Sequence, residues 1–302
     1  MFKSIIVGFI LLFSISVVSQ IDTTSFFAPS DTLHIKRRNA VIITKSSLTA
    51  LSIIGLNQLW YSDFEQSKFH TINDNSEWFQ MDKFGHTFTA YQLGKYGTQT
   101  LKWSGVSEKN QLIFGGTLGF TFLTAVEVLD GFSSEWGFSW GDFTANTVGA
   151  GLFIGQELLW NEQRVQLKYS FNRSPYANLN PNKLGHGFLE EVIKDYNGQT
   201  YWLSANVQSF FKDSKLPKWL NVAVGYGVDG LLYGSGNLQT ISFPNQQRSQ
   251  QFYLSLDADL TKIKTKSAFL KQFFNIINVI KVPFPTLEIN DRGKLIGHLV
   301  YF

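Results

Sequence analysis

The apolar residues change period near residue 163, and no single regular architecture accommodates both halves of that pattern. Before this point they come in long runs. Asn39 to Trp60 holds one charge, Lys45, while Gln111 to Val126 and Phe143 to Gln156 hold none. Runs of this length and continuity predict helices, although their many Thr, Ser and Gly residues make each a marginal membrane span, since a secure one needs roughly 20 apolar residues. Gly115 and Gly119, and likewise Gly151 and Gly155, are small-residue pairs of the kind that let helices approach closely. Residues 36 to 160 are therefore expected to form about four packed helices, embedded in or lying against a membrane, with the more polar one starting near Asp82.

Beyond residue 163 the period falls to two. Val165, Leu167, Tyr169 and Phe171 alternate with Gln166, Lys168 and Ser170, and Phe252 to Leu260 alternates in the same way. Similar patterns run through Tyr201 to Phe211, Leu220 to Val228 and Leu295 to Phe302. Such strands look like those of outer-membrane barrels, but five or six fall short of the eight that a complete small barrel uses. Ser267 to Ile280 carries Leu270, Phe273, Phe274 and Ile277 at helical spacing, and Pro283 and Pro285 stop it. Lys194 to Trp202 reads as a helix ending at Asn197-Gly198 with a strand beginning near Tyr201. The expected fold class is α+β: a membrane-associated helical bundle over 36–162, then a mostly antiparallel β-rich region over 163–302.

Composition narrows the class. Charged residues make up 16% of the 302 residues, equal to the aromatic fraction, against roughly 25% in an ordinary soluble domain. A hydrophobic content of 44% excludes disorder, and the absence of cysteine excludes a disulfide scaffold and Cys-ligated zinc or iron–sulfur sites. Nucleic acid is not an expected partner, because the net charge is only +3 and no dense Lys/Arg run is interleaved with aromatics. Lys3 followed by the charge-free stretch Ser4 to Ser19 reads as a secretory signal peptide over residues 1–19. Its cleavage site offers no cysteine for lipoprotein acylation. Nucleotide binding is not expected either. Gly225, Gly227 and Gly230 match the dinucleotide string, but they lie in and after a strand with no helix following to hold a pyrophosphate.

The chemistry is expected in the helical half. From Asn110 to Asn161 there are five carboxylates, Glu127, Asp130, Glu135, Asp142 and Glu157, and no Lys or Arg. Buried carboxylates must reach water, take up a proton, bind a cation or pair with a distant base. The best partner segment is Asp82-Lys83-x-x-His86, whose Asp82 and His86 share a helix face. Asp142, Asn146 and Gly149 line one stripe of another helix. Each has a simpler reading. Ser139-x-x-Asp142 is a capping-box arrangement, Asp82 suits a helix first turn, a lone His86 is more often a satisfied core histidine, and Glu135 and Glu157 suit an interface with solvent. The Glu127/Asp130 pair resists dismissal, because it follows a 16-residue charge-free run.

Asp82-Lys83-x-x-His86 with Tyr91 downstream, Glu127-x-x-Asp130, and Phe138-Ser139-x-x-Asp142-x-x-x-Asn146-x-x-Gly149 together resemble the YfiM-like family of uncharacterised envelope proteins, described as predicted periplasmic lipoproteins. They are more distantly similar to VanZ-like membrane proteins. The resemblance covers about residues 40 to 160 and implies an envelope location and a shared polar helical core, with no activity to carry over. Two function classes fit. In the first, Asp82, Lys83, His86, Tyr91, Glu127, Asp130, Asp142 and Asn146 form a polar core that is structural or binds a lipid or other ligand. In the second, Asp82, His86, Glu127 and Asp142 ligate zinc, magnesium or manganese in a hydrolase acting on a lipid-linked or cell-wall intermediate, with Lys83 holding a phosphate. The first is favoured, because no nucleophile motif or His-x-x-x-His spacing is present. Membrane lipid is the expected partner in either case.

Overall fold

A computed structural model describes residues 26–58 and 65–302. The segment read as a signal peptide lies outside them. The helical half contains α1 (Ile35–Leu56), α2 (Met81–Trp103), α3 (Leu118–Asp130) and α4 (Trp140–Trp160). A turn of α-helix (Glu108–Gln111) and a π-helical turn (Leu112–Gly116) lead into α3. Helices α2, α3 and α4 pack tightly because small residues face backbone. A Cβ at Gly149 would lie 2.1 Å from the Thr87 carbonyl, and one at Gly119 would lie 2.3 Å from that of Ala90. Gly115 meets Gly97 as closely, so the first predicted glycine pair does sit at a helix contact. A Cβ at Gly151 or Gly155 would meet nothing within 4 Å, so this second pair serves no such contact among the described residues. Helix α1 differs from the other three. Its most apolar window is only 6% buried, and it reaches α2 through Lys45, whose Nζ donates to the Gly97 carbonyl at 2.7 Å. The tight core is therefore three helices, with α1 standing largely outside it.

Two short pieces place the start of α2 and α4. The strands β1 (Thr71–Ile72) and β2 (Phe138–Ser139) pair in parallel, with Thr71 opposite Phe138 and Ile72 opposite Ser139. This fixes the loop carrying Asp74 beside the N-terminus of α4. Just before α2, Trp78, Phe79 and Gln80 have φ of 48°, 50° and 64°, a left-handed run costing roughly 1–2 kcal/mol per residue. Tertiary contacts hold it. The Trp78 amide donates to the Gly234 carbonyl at 3.1 Å, Tyr226 Oη donates to the Phe79 carbonyl at 2.7 Å, and the Arg248 guanidinium lies 4.5 Å from the centre of the Phe79 ring. Met81, fully buried, then packs with Tyr226, Val228 and Leu231 of the second half.

The second half is one six-stranded antiparallel sheet in sequential order: β3 (Val165–Phe171), β4 (Gln199–Asn206), β5 (Leu220–Asp229), β6 (Ser249–Ala258), β7 (Phe284–Asn290) and β8 (Leu295–Tyr301). Before β4 come α5 (Phe188–Lys194) and a 3₁₀ turn, Tyr196–Gly198. Between β6 and β7 lies α6 (Ala268–Ile277), shorter than the expected Ser267 to Ile280. Strand β7 was not legible in the sequence, because Pro285 interrupts its pattern. Gly225 and Gly227 lie within β5, where a Cβ on Gly225 would meet the Trp202 ring at 2.7 Å.

The polarity of this sheet is inverted. The residues it buries are mainly polar: Gln166, Lys168 and Ser170 on β3, Thr200, Ser204 and Asn206 on β4, Asn221 on β5, Ser255 and Asp257 on β6, and Thr286 and Glu288 on β7. Those it turns outward are apolar. The sheet also rolls. The Tyr169 amide donates to the Val279 carbonyl at 2.9 Å and the Lys281 amide to the Tyr169 carbonyl at 3.0 Å, so the segment leading into β7 pairs with the edge of β3. The hydroxyls of Thr200 and Tyr301 approach to 3.2 Å across the interior. Inside, Lys168 Nζ and Asp257 Oδ2 form a 2.8 Å ion pair with neither side chain exposed. The helical half covers part of the outer face through Phe84, whose ring lies 4.5 Å from that of Tyr226, and Phe88, 5.6 Å from Tyr201.

Candidate functional site

The three-helix core has a polar interior at its β1–β2 end. Asp82, Lys83 and His86 come from the first turns of α2, Glu127 from the last turn of α3, and Asp142 and Asn146 from the start of α4. The sequence pointed to all six, and the structure brings them together. Lys83 Nζ donates to Asp74 Oδ2 at 2.6 Å, Asp142 Oδ2 at 3.0 Å and Asp82 Oδ2 at 3.2 Å. His86 Nε2 faces Asp82 Oδ1 at 3.7 Å, Glu127 Oε1 at 3.7 Å and Asp142 Oδ1 at 3.9 Å. Its other nitrogen, Nδ1, lies 3.0 Å from Asn146 Oδ1. With that oxygen as acceptor, Nδ1 carries the hydrogen and Nε2 is the atom turned to the carboxylates.

The capping and site readings of Asp142 turn out to be compatible. Ser139 caps α4 by accepting the Asp142 amide on Oγ at 3.2 Å. The reciprocal half of a capping box is supplied from another helix, since the Ser139 amide donates to Glu127 Oε2 at 3.2 Å. Asp142 thus spends its backbone on the cap and leaves its carboxylate for the site, where buried Oδ1 has no hydrogen-bond partner among the described residues.

Asp74 and Tyr196 belong to the site and were missed. Asp74 accepts from Lys83 and from Ser139 Oγ, the latter at 2.7 Å, yet it sits in Asn73-Asp74-Asn75-Ser76, which reads as an ordinary polar turn. Tyr196 Oη donates to Asp82 Oδ1 at 3.3 Å from the sheet half; only long-range folding reveals it. Tyr91 is a correction. It is fully buried, but its hydroxyl donates to Gln163 Oε1 at 3.0 Å, against the Phe153 ring. It serves a second polar cluster farther along α2, because five residues of helix carry it more than a turn past His86. Asp130 ends α3 and acts on the site through its charge on Glu127. Glu135 forms a 3.7 Å surface pair with Lys183, and Glu157 accepts from Gln163 Nε2 at 2.8 Å, so neither joins the cluster.

Burial dominates the site's proton affinities. It pushes Glu127 up to about 8, reinforced by Asp142 and Asp130 and opposed by His86. Burial and the Asp82 charge bring Asp142 up to about 7 against His86 and Lys83. His86 would be lowered by burial, but the charges of Asp82, Asp142 and Glu127 hold it above the ordinary histidine range. Lys83 is likewise held high by its carboxylates against burial. Asp74 is held below the ordinary range, because the hydrogen bonds from Lys83 and Ser139 outweigh burial. Around neutral pH the cluster therefore keeps protons that the unfolded chain has released. Stability contributed by the retained protons of Glu127 and Asp142 is full only below the unfolded carboxyl range, at about pH 4, and declines from there until pH has risen through about 7 and 8. That of His86 is full below the ordinary histidine value and is lost as pH rises through its raised one. Asp74 acts oppositely, losing its contribution only as pH falls through its depressed value. Without divalent cations, urea unfolding should show the chain about 1 kcal/mol less stable at pH 8 than at pH 7, as one retained proton over one pH unit requires. A rise in stability over that interval would contradict these assignments.

Asp82, His86 and Asp142 each offer a ligand atom, all within 4.8 Å of one another. Ligands bound tetrahedrally at roughly 2.0–2.2 Å to one ion stand about 3.3–3.6 Å apart, so the cluster is slightly more open than a closed metal site. The His86–Asn146 hydrogen bond is the type of outer contact that orients a ligating imidazole.

A family model described as predicted periplasmic lipoprotein (DUF2279) matches residues 71–155. The match spans every residue of the cluster except Tyr196 and stops before β3. No curated protein and no solved structure matches the chain. The lipoprotein part of the description has no cysteine to rest on in this sequence. The match and the charge-free N-terminal run agree on location: the chain is an envelope protein, exported from the cytoplasm.

Proposed function

We propose that the helical half of this envelope protein binds a divalent cation between Asp82, His86 and Asp142, with Glu127 as a fourth ligand and third oxygen donor. The observation that carries this reading is the buried Asp142 Oδ1, which has no hydrogen-bond partner among the described residues and faces His86 Nε2 at 3.9 Å. A polar network built only to join helices would satisfy that oxygen. Charge supports it too. Asp74, Asp82, Asp142 and Glu127 outnumber Lys83 and His86, and the folded chain compensates with retained protons that a cation would displace. Hard oxygen donors with one imidazole suit zinc, manganese or magnesium. The YfiM-like resemblance rests on these same residues.

A second reading, metal-assisted hydrolysis of a lipid-linked or cell-wall intermediate, draws on Glu127. Its carboxyl, held near 8 mainly by burial and placed 3.7 Å from His86 Nε2, is a group able to hold or pass a proton beside the Asp82, His86 and Asp142 ligand atoms, where a bound cation would supply Lewis-acid activation. Calorimetric titration of the purified chain with zinc and manganese chlorides tests the binding itself. One ion should bind per chain, and His86→Ala and Asp142→Asn should each weaken it by about 10-fold or more. If neither ion binds and Asp142→Asn is as stable as the parent, the cluster is a structural polar core.

A further inference from the structure

The inverted sheet has an outward face that water does not suit. Along β4 to β7, Leu203, Val222, Val224, Phe252, Leu254, Leu256, Leu287 and Ile289 are 40% to 51% exposed. They form continuous rows. Leu203 stands opposite Val224, Val224 opposite Leu254, and Leu254 opposite Leu287, while Val222 faces Leu256 and Phe252 faces Ile289. On β8, Leu295 and Leu299 are more exposed still. An antiparallel sheet with one solvated face turns its polar residues to water. Here alternation is kept and its sense reversed, with Ser204, Asn221, Asp257, Thr286 and Glu288 inside. Polar groups inward and apolar groups outward is the arrangement of a sheet bathed in hydrocarbon.

We propose that this face, from β4 to β8, is a lipid-contacting surface seated in one leaflet of an envelope membrane. Its height sets the depth. From the Phe252 row to the Leu256 row is four residues, about 13 Å at 3.3 Å per residue, roughly half the ~25 Å apolar band of a spanning barrel. The helical half covers the other end of the Phe252 row, where Tyr226, opposite Phe252, and Tyr201, opposite Tyr226, meet Phe84 and Phe88. Helix α6 supplies an independent indication at the Leu256 end of the band. It follows β6 closely and is tied to that end by Asn278, whose Oδ1 accepts the Leu260 amide at 2.8 Å. Phe269, Phe273 and Ile276 of α6 are exposed, and Lys264, Lys266 and Lys271 are exposed beside them. Apolar side chains flanked by lysines fit the boundary of a bilayer with anionic headgroups. A second copy of the chain could cover the apolar rows, but it would not call for polar residues on the opposite face or for a basic rim.

Because the chain has no cysteine, single substitutions carry a label uniquely. Leu254→Cys bearing an environment-sensitive fluorophore should shift to the blue and be quenched by brominated acyl chains on vesicles of phosphatidylcholine and phosphatidylglycerol. The same label at Asp213→Cys, on a loop, should show neither change. Val224→Glu with Leu254→Glu should lower vesicle binding by about 10-fold or more, two lipid-face charges each costing up to a few kcal/mol, while leaving the circular dichroism spectrum unchanged. An unshifted label at Leu254→Cys, or vesicle binding unaffected by the double substitution, would overturn the proposal. So would a lipid-independent dimer, seen by light scattering, that the double substitution dissolves.

Discussion

Replacing Lys83 by methionine is expected to destabilise the chain by about 3–5 kcal/mol, the cost of removing one member of a buried ionic group and leaving the others uncompensated. Lys83 Nζ is the common donor to Asp74, Asp82 and Asp142, and its side chain is 13% exposed. Methionine preserves the stem and its packing, so the loss reports the ammonium rather than a cavity. Asp74, Asp82 and Asp142 would then lose their shared cation, with the His86 imidazole left beside only Asp82 and Asp142 of the three, and the cluster would have to take up further protons. The size of the loss should therefore depend on pH, smaller at pH 5 than at pH 8. If the site binds a divalent cation, manganese or zinc should restore more stability to the methionine variant than to the parent, because the ion replaces the missing positive charge. Denaturant unfolding in detergent, with and without metal, measures both effects. A loss below about 1 kcal/mol would mean that the carboxylates are solvated well enough to do without Lys83, as in an exposed ion pair.

What the sequence revealed of this site, and what it hid, follows the range of the interactions. Asp82 and His86 were legible as a pair because four residues of helix put them on one face, and Ser139 and Asp142 because a cap has a fixed spacing. Glu127 stood out because a carboxylate at the end of a long apolar run demands an explanation. Asp74 was hidden, since a polar turn contains an aspartate for local reasons as readily as for distant ones, and only the two-residue β1–β2 pairing carries it to Lys83. Tyr91 entered through the family resemblance rather than through any local pattern, and helical geometry turns it toward Gln163. In the sheet, period two announced strands without saying which face turns inward. The inversion is visible only where partners are seen, with Asp257 and Lys168 inside and Leu254 and Val224 outside.

That interior also carries the second large expected effect. Asp257→Ala should cost about 3–5 kcal/mol, because Asp257 holds together groups that have no access to water. Its Oδ2 accepts from Lys168 Nζ at 2.8 Å and from Ser204 Oγ at 2.7 Å, and its Oδ1 accepts the Val282 amide at 2.9 Å. Alanine would leave Lys168 with its hydrogen bond to the Ala258 carbonyl at 2.7 Å and a full buried charge. A second ammonium is near, since Lys281 lies over the Trp202 ring at 4.6 Å and feels the charges of both Asp257 and Lys168. Asp257→Asn separates the contributions. It keeps oxygen and nitrogen in place for Ser204 or Val282 but removes the charge, so the part of the loss it reproduces is electrostatic. Replacing the pair together, Lys168→Met with Asp257→Leu, should recover most of the loss, because the penalty lies in the unpaired charge rather than in the absence of a salt bridge. Loss on Asp257→Ala with no recovery in the double variant would instead assign the stabilisation to the hydrogen bonds to Ser204 and Val282 that hold β4 and the approach to β7 around this carboxylate.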